Sequence, residues 1–234
     1  MMQSVKVIAF DADDTLWHNE HLFRQVQTEF KTLLAQYHSP EWIAERLYAT
    51  EIKNLPHYGY GVKAFALSMI ETAVELTEGR VTGADIQRIL DAARTMLTAD
   101  VRLLDGVTDT LEALFPHYRL MVITKGDLLD QQAKFERSGL EPYFAHIEVV
   151  REKNAETYDA LLKRLNIAPT QFMMVGNSMR SDILPVLEIG AQAVYVPHEL
   201  TWEHEEAATP EAGTLGFQQI TGIADLPALL RSRS

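Results

Sequence analysis

Cysteine is absent from this chain of 234 residues, and its absence removes several functional classes. Without cysteine there are no disulfides, no thiolate zinc sites and no cysteine nucleophile. Basic residues are in the minority, with 21 Lys+Arg against 33 Asp+Glu and a formal net charge of −12. A protein that attracts nucleic acid electrostatically carries a basic patch. The charge balance therefore argues against a nucleic-acid partner.

Long apolar runs are also missing. The run at residues 5–10 is only strand-sized, which is too short for a secretory leader, and no later stretch reaches the roughly 18 apolar residues of a spanning helix. We therefore expect a cytoplasmic protein with no membrane partner. The composition is otherwise that of a globular protein, with 47% hydrophobic and 23% charged residues. The length suits one large domain or two small ones.

Helical spacing dominates the region from about residue 19 to residue 99. Apolar residues recur there every three or four positions, as on one face of a helix. Ser39 followed by Pro40 predicts a helix start, and Thr82 with Asp85 resembles a capping box. Leu55–Pro56 is expected to break the second helix. The region predicts helices alone.

Strands and helices alternate in the rest of the chain. Residues 5–10 predict a buried strand, and after residue 104 apolar strands alternate with amphipathic helices. One predicted helix covers residues 181–189, with a kink at Pro185. Such alternation predicts an α/β fold with a doubly wound, mostly parallel, Rossmann-like sheet. We expect a core domain at 1–16 and 104–234, interrupted by an all-helical cap domain at 17–103.

Polar side chains follow four of the predicted strands at the point where each strand ends. Ligands of open parallel sheets bind beyond these carboxyl ends. Carboxylates gathered there repel one another unless a cation neutralises them, and all-oxygen ligation suits Mg²⁺. The combination predicts a Mg²⁺-assisted phosphate site, and its candidate residues lie among those that follow the strands, at positions 11–14, 124–126, 151–153 and 176–182.

The sequence Asp-Ala-Asp-Asp-Thr at residues 11–15 resembles the Asp-x-Asp-x-Thr/Val signature of the haloacid dehalogenase-like hydrolase superfamily, and it follows the first strand as that family requires. Thr124, Lys153 and Asp182 match the second, third and fourth motifs in order. The resemblance covers essentially the whole chain. It includes a helical cap between the first two motifs, as in the phosphoglycolate phosphatase-like branch.

The resemblance implies a role for each matched residue. Asp11 would be the nucleophile that forms an aspartyl-phosphate, and Asp13 would be the general acid and base. Thr124 and Lys153 would bind the phosphoryl oxygens. Lys125, where the family usually has Asn, would add a cation beside the phosphate. The substrate would be a small phosphorylated metabolite.

The metal implied by the resemblance is Mg²⁺, held by oxygen ligands. These would be a carboxylate oxygen of Asp11, the backbone carbonyl of Asp13, and Asp182. Asn177 stands where most members have an acid, so it would offer an amide oxygen without a charge.

Several assignments stay open at the sequence level. Arg151 competes with Lys153, because Lys153 is followed by Asn154 rather than the family's usual proline. Asp14 is expected to be a turn residue, since Asp tolerates the left-handed conformation. Residues 198–204 lack the His-Glu-x-x-His spacing of a zinc site, and His198 and His204 either pack or touch substrate. The same choice applies to the cap residues His57, Tyr58, Tyr60 and Lys63.

Two other functions remain to be weighed. Dehalogenases of the superfamily cleave carbon–halogen bonds with the same nucleophile, but they lack the second acid, which argues against this reading because Asp13 is present. A non-catalytic phospho-accepting module also combines acids, a hydroxyl and a lysine on a parallel sheet, but it has no helical cap. The sequence does not reveal the phosphate ester or the oligomeric state.

Overall fold

The structure is a computed structural model that describes residues 5–211 and 213–231. Within these residues the chain forms six strands and nine α-helices and divides into two compact units. The first unit contains the chain up to Glu20, Val101–Lys125 and the chain from Gln132 onward. The second contains His21–Asp100 and Gly126–Gln131.

A six-stranded sheet forms the centre of the first unit. In chain order its strands are β1 (Val7–Phe10), β2 (Arg119–Lys125), β3 (His146–Val150), β4 (Phe172–Gly176), β5 (Gln192–Tyr195) and β6 (Phe217–Gln219). Their spatial order is β3-β2-β1-β4-β5-β6, and neighbouring strands are parallel. The strand order reverses between β1 and β4, and such a switch point opens a crevice where ligands bind. The predicted α/β fold is confirmed.

Helices cover both faces of the sheet because its strands are apolar on both sides. One hydrophobic core holds Phe10 and Val122 with helix residues such as Leu111, and the opposite core holds Ala9 with helix residues such as Leu161. The helices of this part of the chain are α5 (Val107–Leu114), α6 (Leu128–Ser138), α7 (Ala155–Arg164), α8 (Leu184–Glu188) and α9 (Leu226–Arg231).

The second unit is helical, as its apolar spacing predicts. It contains α1 (Glu20–Leu34), α2 (Pro40–Tyr58), α3 (Val62–Leu76) and α4 (Gly83–Thr98), packed around a separate core that includes Phe30, Ile43 and Met69. The predicted capping box is confirmed, because Thr82 and Asp85 satisfy each other's backbone N–H groups at the start of α4. Among the described residues, no helix is both long and apolar enough to cross a bilayer.

One prediction about proline is wrong, and one predicted helix takes a different form. Pro56 does not break α2, which continues to Tyr58. Pro56 lies in the last turn, and the N–H of Gly59 still bonds the carbonyl of Leu55. The predicted helix at 181–189 is instead a π-helical turn (Met179–Ile183) followed by α8. Pro185 lies in the first turn of α8, where an α-helix offers no intrahelical partner for the N–H group that proline lacks.

Candidate active site

Asp11 follows the central strand β1, whose sequence of apolar and β-branched residues is fully buried. The register pairs Phe10 with Val122 on one side and with Val175 on the other. The backbone N–H of Asp11 continues this ladder by donating to the carbonyl of Val175 at 2.9 Å. The Asp11 carboxyl group is therefore fixed between the ends of β2 and β4, and only 8% of the residue is exposed.

Lys153 joins two buried carboxylates. Its Nζ lies 2.5 Å from Oδ1 of Asp11 and 2.7 Å from Oδ1 of Asp182. Burial raises the pKa of Asp11 to about 7, although the charge of Lys153 acts in the opposite direction. Burial would lower the pKa of Lys153, but the two carboxylate charges hold it above its usual value. The single ammonium of Lys153 therefore offsets the charges of two acids. Arg151, the competing candidate for this role, is exposed.

Gly176, at the end of β4, allows Asp182 to approach the sheet. A Cβ atom on Gly176 would lie 2.2 Å from Oδ2 of Asp182, which is closer than atoms can approach. The same Oδ2 accepts a hydrogen bond from the backbone N–H of Ser178 at 2.9 Å. Because of this packing, Asp182 has no exposed surface, and both of its carboxylate oxygens have a donor.

Thr15 connects the first motif with the loop after β4. Its hydroxyl lies 3.3 Å from Oδ2 of Asp11 and 3.1 Å from Oδ1 of Asn177. A single O–H points at one of these oxygens at a time. The arrangement brings an oxygen of Asp11 and an oxygen of Asn177 within hydrogen-bond distance of one buried hydroxyl group.

Asp13 lies two residues beyond Asp11 and is less buried, with 24% of its side chain exposed. Nζ of Lys134, on α6, donates to Oδ1 and Oδ2 of Asp13 at 2.9 and 3.1 Å. The indole N–H of Trp17 donates to Oδ1 at 2.7 Å. The carboxylate of Asp13 therefore has a defined orientation.

Thr124 and Lys125 are the last two residues of β2, although the sequence predicts that they follow the strand, and they have different environments. The Thr124 hydroxyl is almost fully buried and donates to the carbonyl of Lys125 at 3.2 Å. Nζ of Lys125 donates to the hydroxyl of Ser181 at 2.9 Å and to Oε1 of Glu205 at 2.5 Å. Lys125 is thus paired with an acid of its own chain.

Glu205 gathers three donors from the surroundings of the site. Besides Lys125, the hydroxyls of Ser178 and Ser181 each donate to its Oε2 at 2.5 Å. Burial alone would raise the pKa of Glu205, but the Lys125 charge and these hydrogen bonds hold it at about 2. Glu205 therefore ties the loop after β5 to the loop that carries Asn177.

Asp14 adopts the predicted left-handed conformation, with φ of 59°. Its carboxylate accepts hydrogen bonds from the backbone N–H groups of Asn19 and Glu20 at the start of α1. Burial raises the pKa of Asp14 to about 6.

The loop that carries His198 and His204 contacts other residues of the first unit. Nε2 of His198 lies 3.7 Å from Oδ1 of Asp14, and the carbonyl of His204 accepts a hydrogen bond from Arg180 at 3.2 Å. These contacts hold the loop in place.

The oxygen groups around Asp11 suit Mg²⁺ in type. Among the described residues, no group of three or more His, Cys, Asp or Glu side chains is arranged to hold a metal. A carboxylate oxygen of Asp11 and an amide oxygen of Asn177 nevertheless share Thr15 as a neighbour. Mg²⁺ prefers such hard oxygens, binds one or two carboxylates and keeps several waters. The donor set therefore fits Mg²⁺ without a cage of acids.

Comparison with known proteins identifies the family. The sequence model of the haloacid dehalogenase-like hydrolases matches residues 5–190. The chain belongs to this family. The crystal structure of a haloacid dehalogenase-like family hydrolase from Xanthomonas campestris is 38% identical and superposes with a TM-score of 0.88, over 98% of this chain and 92% of that one.

Two curated relatives of this hydrolase are phosphatases by name. The N-acylneuraminate-9-phosphatase of Mus musculus is 25% identical over 99% of this chain and 96% of its own length. The glyceraldehyde 3-phosphate phosphatase of Pyrococcus furiosus is 25% identical over 88% of each chain. The chain therefore spans nearly the full length of these relatives.

Thr15, Lys134 and Glu205 contact predicted site residues, and the sequence analysis assigns none of them a role. Thr15 lies inside the first motif, as the last residue of its signature. Lys134 contacts Asp13 from the middle of α6, where a helical lysine ordinarily faces solvent. Glu205 lies in an acidic stretch of a loop, and no spacing in the sequence distinguishes it from its neighbours Glu203 and Glu206. Only the tertiary contacts reveal the last two.

Proposed function

We propose that this hydrolase is a Mg²⁺-dependent phosphatase that cleaves a small phosphorylated metabolite through an aspartyl-phosphate. The observation that carries the proposal is the position of Asp11, which is buried at the switch point of the sheet and in contact with Lys153 and Thr15. Asp13 follows two residues later and keeps part of its side chain exposed. A nucleophile beside a separate acid suits a leaving group that needs a proton.

In the first step of the proposed reaction, a carboxylate oxygen of Asp11 attacks phosphorus in line with the ester oxygen. The phosphorus–oxygen bond of the ester breaks as the bond to Asp11 forms, and Asp13 gives its proton to the departing oxygen. Thr124 and Lys153 bind the phosphoryl oxygens. The Lys153 ammonium also restrains Asp11, as its contact at 2.5 Å supports.

In the second step, water attacks the phosphorus of the acyl-phosphate. Asp13, now ionised, takes a proton from that water, the bond between Asp11 and phosphorus breaks, and inorganic phosphate leaves. Asp11 is thereby restored as a carboxylate and Asp13 as an acid. The two steps balance without any other reactant.

Asp11, the backbone carbonyl of Asp13, Asn177 and Asp182 are the residues we propose to hold Mg²⁺. The ion supplies positive charge that offsets the repulsion between a carboxylate nucleophile and an anionic phosphate. Asp11 and Asn177 carry the strongest support, because their oxygens already lie beside Thr15. Lys125, proposed from the sequence to bind phosphate, would have to exchange its contact with Glu205 for one with substrate.

The helical residues 17–103 are proposed to act as a cap on a core of residues 1–16 and 104–234. Closure of a cap excludes water from the reacting groups, and the loops of the cap would bind the leaving group and select the substrate. The residues proposed for this binding are His57, Tyr58, Tyr60 and Lys63. The different substrates named for the two phosphatase relatives support a small phosphorylated metabolite rather than a particular ester.

Phosphate release by the Asp11→Asn variant tests the proposal. We expect the wild type to release phosphate from a panel of phosphorylated metabolites in the presence of Mg²⁺, and the variant to release none above background. Asp159→Asn is the matched control, since Asp159 is a half-exposed residue of α7 and its change should leave activity intact. Undiminished activity in Asp11→Asn would rule the assignment out. If the wild type released halide from a haloacid and no phosphate from the panel, the result would favour the dehalogenase function.

A further inference from the structure

Lys134 is a buried cation whose position the proposed chemistry has not yet explained. It lies on α6 with only 7% of the residue exposed. Its ammonium contacts both oxygens of Asp13 and also donates to Oδ1 of Asn19 at 2.9 Å. An ammonium leaves water only where charged and polar partners replace its hydration. Here those partners include the proposed general acid.

The contact with Lys134 orients the carboxylate of Asp13 as well as pairing its charge. Nζ lies at similar distances, 2.9 and 3.1 Å, from the two carboxylate oxygens, so this contact holds the carboxylate as a whole and does not distinguish one oxygen from the other. The indole N–H of Trp17 adds a second, shorter contact to Oδ1 alone. Together the two donors make the carboxylate oxygens inequivalent.

The donors of Asp13 are themselves held rigidly. Trp17 is 1% exposed, and its ring packs edge-on against Phe135, with the ring centroids 4.9 Å apart. Phe135 is the neighbour of Lys134 on α6, so a single helix supports both contacts to Asp13. Proton transfer requires a carboxyl oxygen within hydrogen-bond reach of the departing atom, and small errors of placement cost large factors in rate.

We propose that Lys134 is a positioning residue that orients the Asp13 carboxyl group for proton transfer to the leaving group. The inference rests on the proposed phosphatase function, in which Asp13 is the general acid. Lys134 does not touch substrate in this assignment. It acts through Asp13, and its loss should therefore resemble a weakened form of the loss of Asp13 itself.

The dependence of rate on the leaving group separates this role from a structural one. The alkoxide released from an alkyl phosphate is a poor leaving group and needs a proton. The 4-nitrophenolate released from 4-nitrophenyl phosphate is a stable anion and does not need one. The ratio kcat/KM reports the steps up to transfer of the phosphoryl group to Asp11. The later use of Asp13 as a base does not enter it.

The experiment measures kcat/KM with Mg²⁺ for the best alkyl phosphate and for 4-nitrophenyl phosphate in the wild type, Lys134→Met and Asp13→Asn. General acids contribute about 100- to 10,000-fold, and we expect Lys134→Met to lose at least about tenfold more on the alkyl ester than on the aryl ester. Asp13→Asn should show the same selectivity more strongly. Lys163→Met, at an exposed salt bridge of α7, should change neither rate.

Equal losses on both esters in Lys134→Met, with a selective loss in Asp13→Asn, would overturn the inference and leave the proposed function standing. No selective loss in Asp13→Asn would overturn both. Lys134→Gln, which keeps a polar donor, gives the same readout where Lys134→Met does not fold. Lys134→Arg should restore part of the rate on the alkyl ester, because a guanidinium can contact both oxygens of a carboxylate.

Discussion

Nζ of Lys153 lies 2.7 Å from Oδ1 of Asp182, a side chain with no exposed surface. The same ammonium contacts Asp11, so a residue that follows β3 binds acids that follow β1 and β4. Three parts of the chain that are distant in sequence therefore depend on one charge. This relationship makes the electrostatics of the site testable without any substrate.

Replacing Lys153 by methionine should destabilise the fold strongly. The change removes the cation and leaves Asp11 and Asp182 buried as uncompensated acids. Breaking a buried ion pair in this way typically costs about 3–5 kcal/mol in the free energy of unfolding, which urea unfolding at neutral pH measures. Lys163→Met, at an exposed pair, should change stability by less than about 1 kcal/mol. Equal stabilities for the two variants would contradict the buried contact.

Glu205 should make the stability depend on pH. Its pKa is lowered from 4.5 to about 2, a shift that corresponds to roughly 3 kcal/mol of stability. Because the folded state holds the ionised form, this contribution is present above the unfolded pKa and is lost as pH falls through 4.5 toward 2.

The measurement compares the free energy of unfolding of the wild type and Glu205→Gln at two pH values. We expect the difference between them to be largest at neutral pH and roughly 1 kcal/mol smaller at about pH 4. Glu156→Gln, an exposed residue of α7, serves as the control, with little change at either pH. A difference that does not depend on pH would show that Glu205 is not held in its ionised form.

The hydroxyl of Thr15 should matter more for activity than for stability. Thr15→Val keeps the shape of the side chain but removes the group between Asp11 and Asn177. A hydrogen bond to a charged group contributes about 1.5–3 kcal/mol, so phosphate release should fall about 10- to 100-fold. Thr95→Val removes an exposed hydroxyl of α4 and should have no effect. An unchanged kcat/KM in Thr15→Val would show that the Thr15 hydroxyl does not assist the reaction through Asp11 or Asn177.

Mg²⁺ should be required, and Asn177 should set the concentration needed. A chelator is expected to abolish phosphate release, and added Mg²⁺ to restore it. Asn177→Asp adds a charge to the oxygen set, and the Mg²⁺ concentration for half-maximal activity should fall roughly tenfold, since ligand charge tunes cation affinity. Asn154→Asp, at the start of α7, should leave that concentration unchanged. Full activity in the chelator would contradict the metal proposal.

The sequence predicts the sheet and most of the helices well because they depend on local patterns. The run at β1 is apolar throughout, and the alternation after residue 104 has few competing interpretations. The strand ends also follow from this pattern, so the sequence places Asp11, Thr124, Lys153 and Asn177 at the carboxyl ends of the parallel strands. The confirmed left-handed turn at Asp14, with φ of 59°, also follows from a local preference, because Asp tolerates that conformation.

Contacts that depend on side-chain reach could not be predicted in this way. Lys134 meets Asp13 across 121 positions of sequence, and Glu205 meets Lys125 across 80. Nothing in the periodicity of α6 or of the loop after β5 indicates these partners. Pro56 and Pro185 show a related limit, because their effect depends on whether a helix is ending or beginning at that residue.

The most direct test of the central claim is the mass of the peptide that contains Asp11 after rapid acid quenching during turnover with Mg²⁺. We predict that a fraction of this peptide carries one phosphoryl group, which disappears in Asp11→Asn and, with 4-nitrophenyl phosphate as the substrate, accumulates when Asp13 is replaced by Asn. Turnover of a phosphate ester without any phosphorylated Asp11 peptide, or with the phosphoryl group on another residue, would contradict the account.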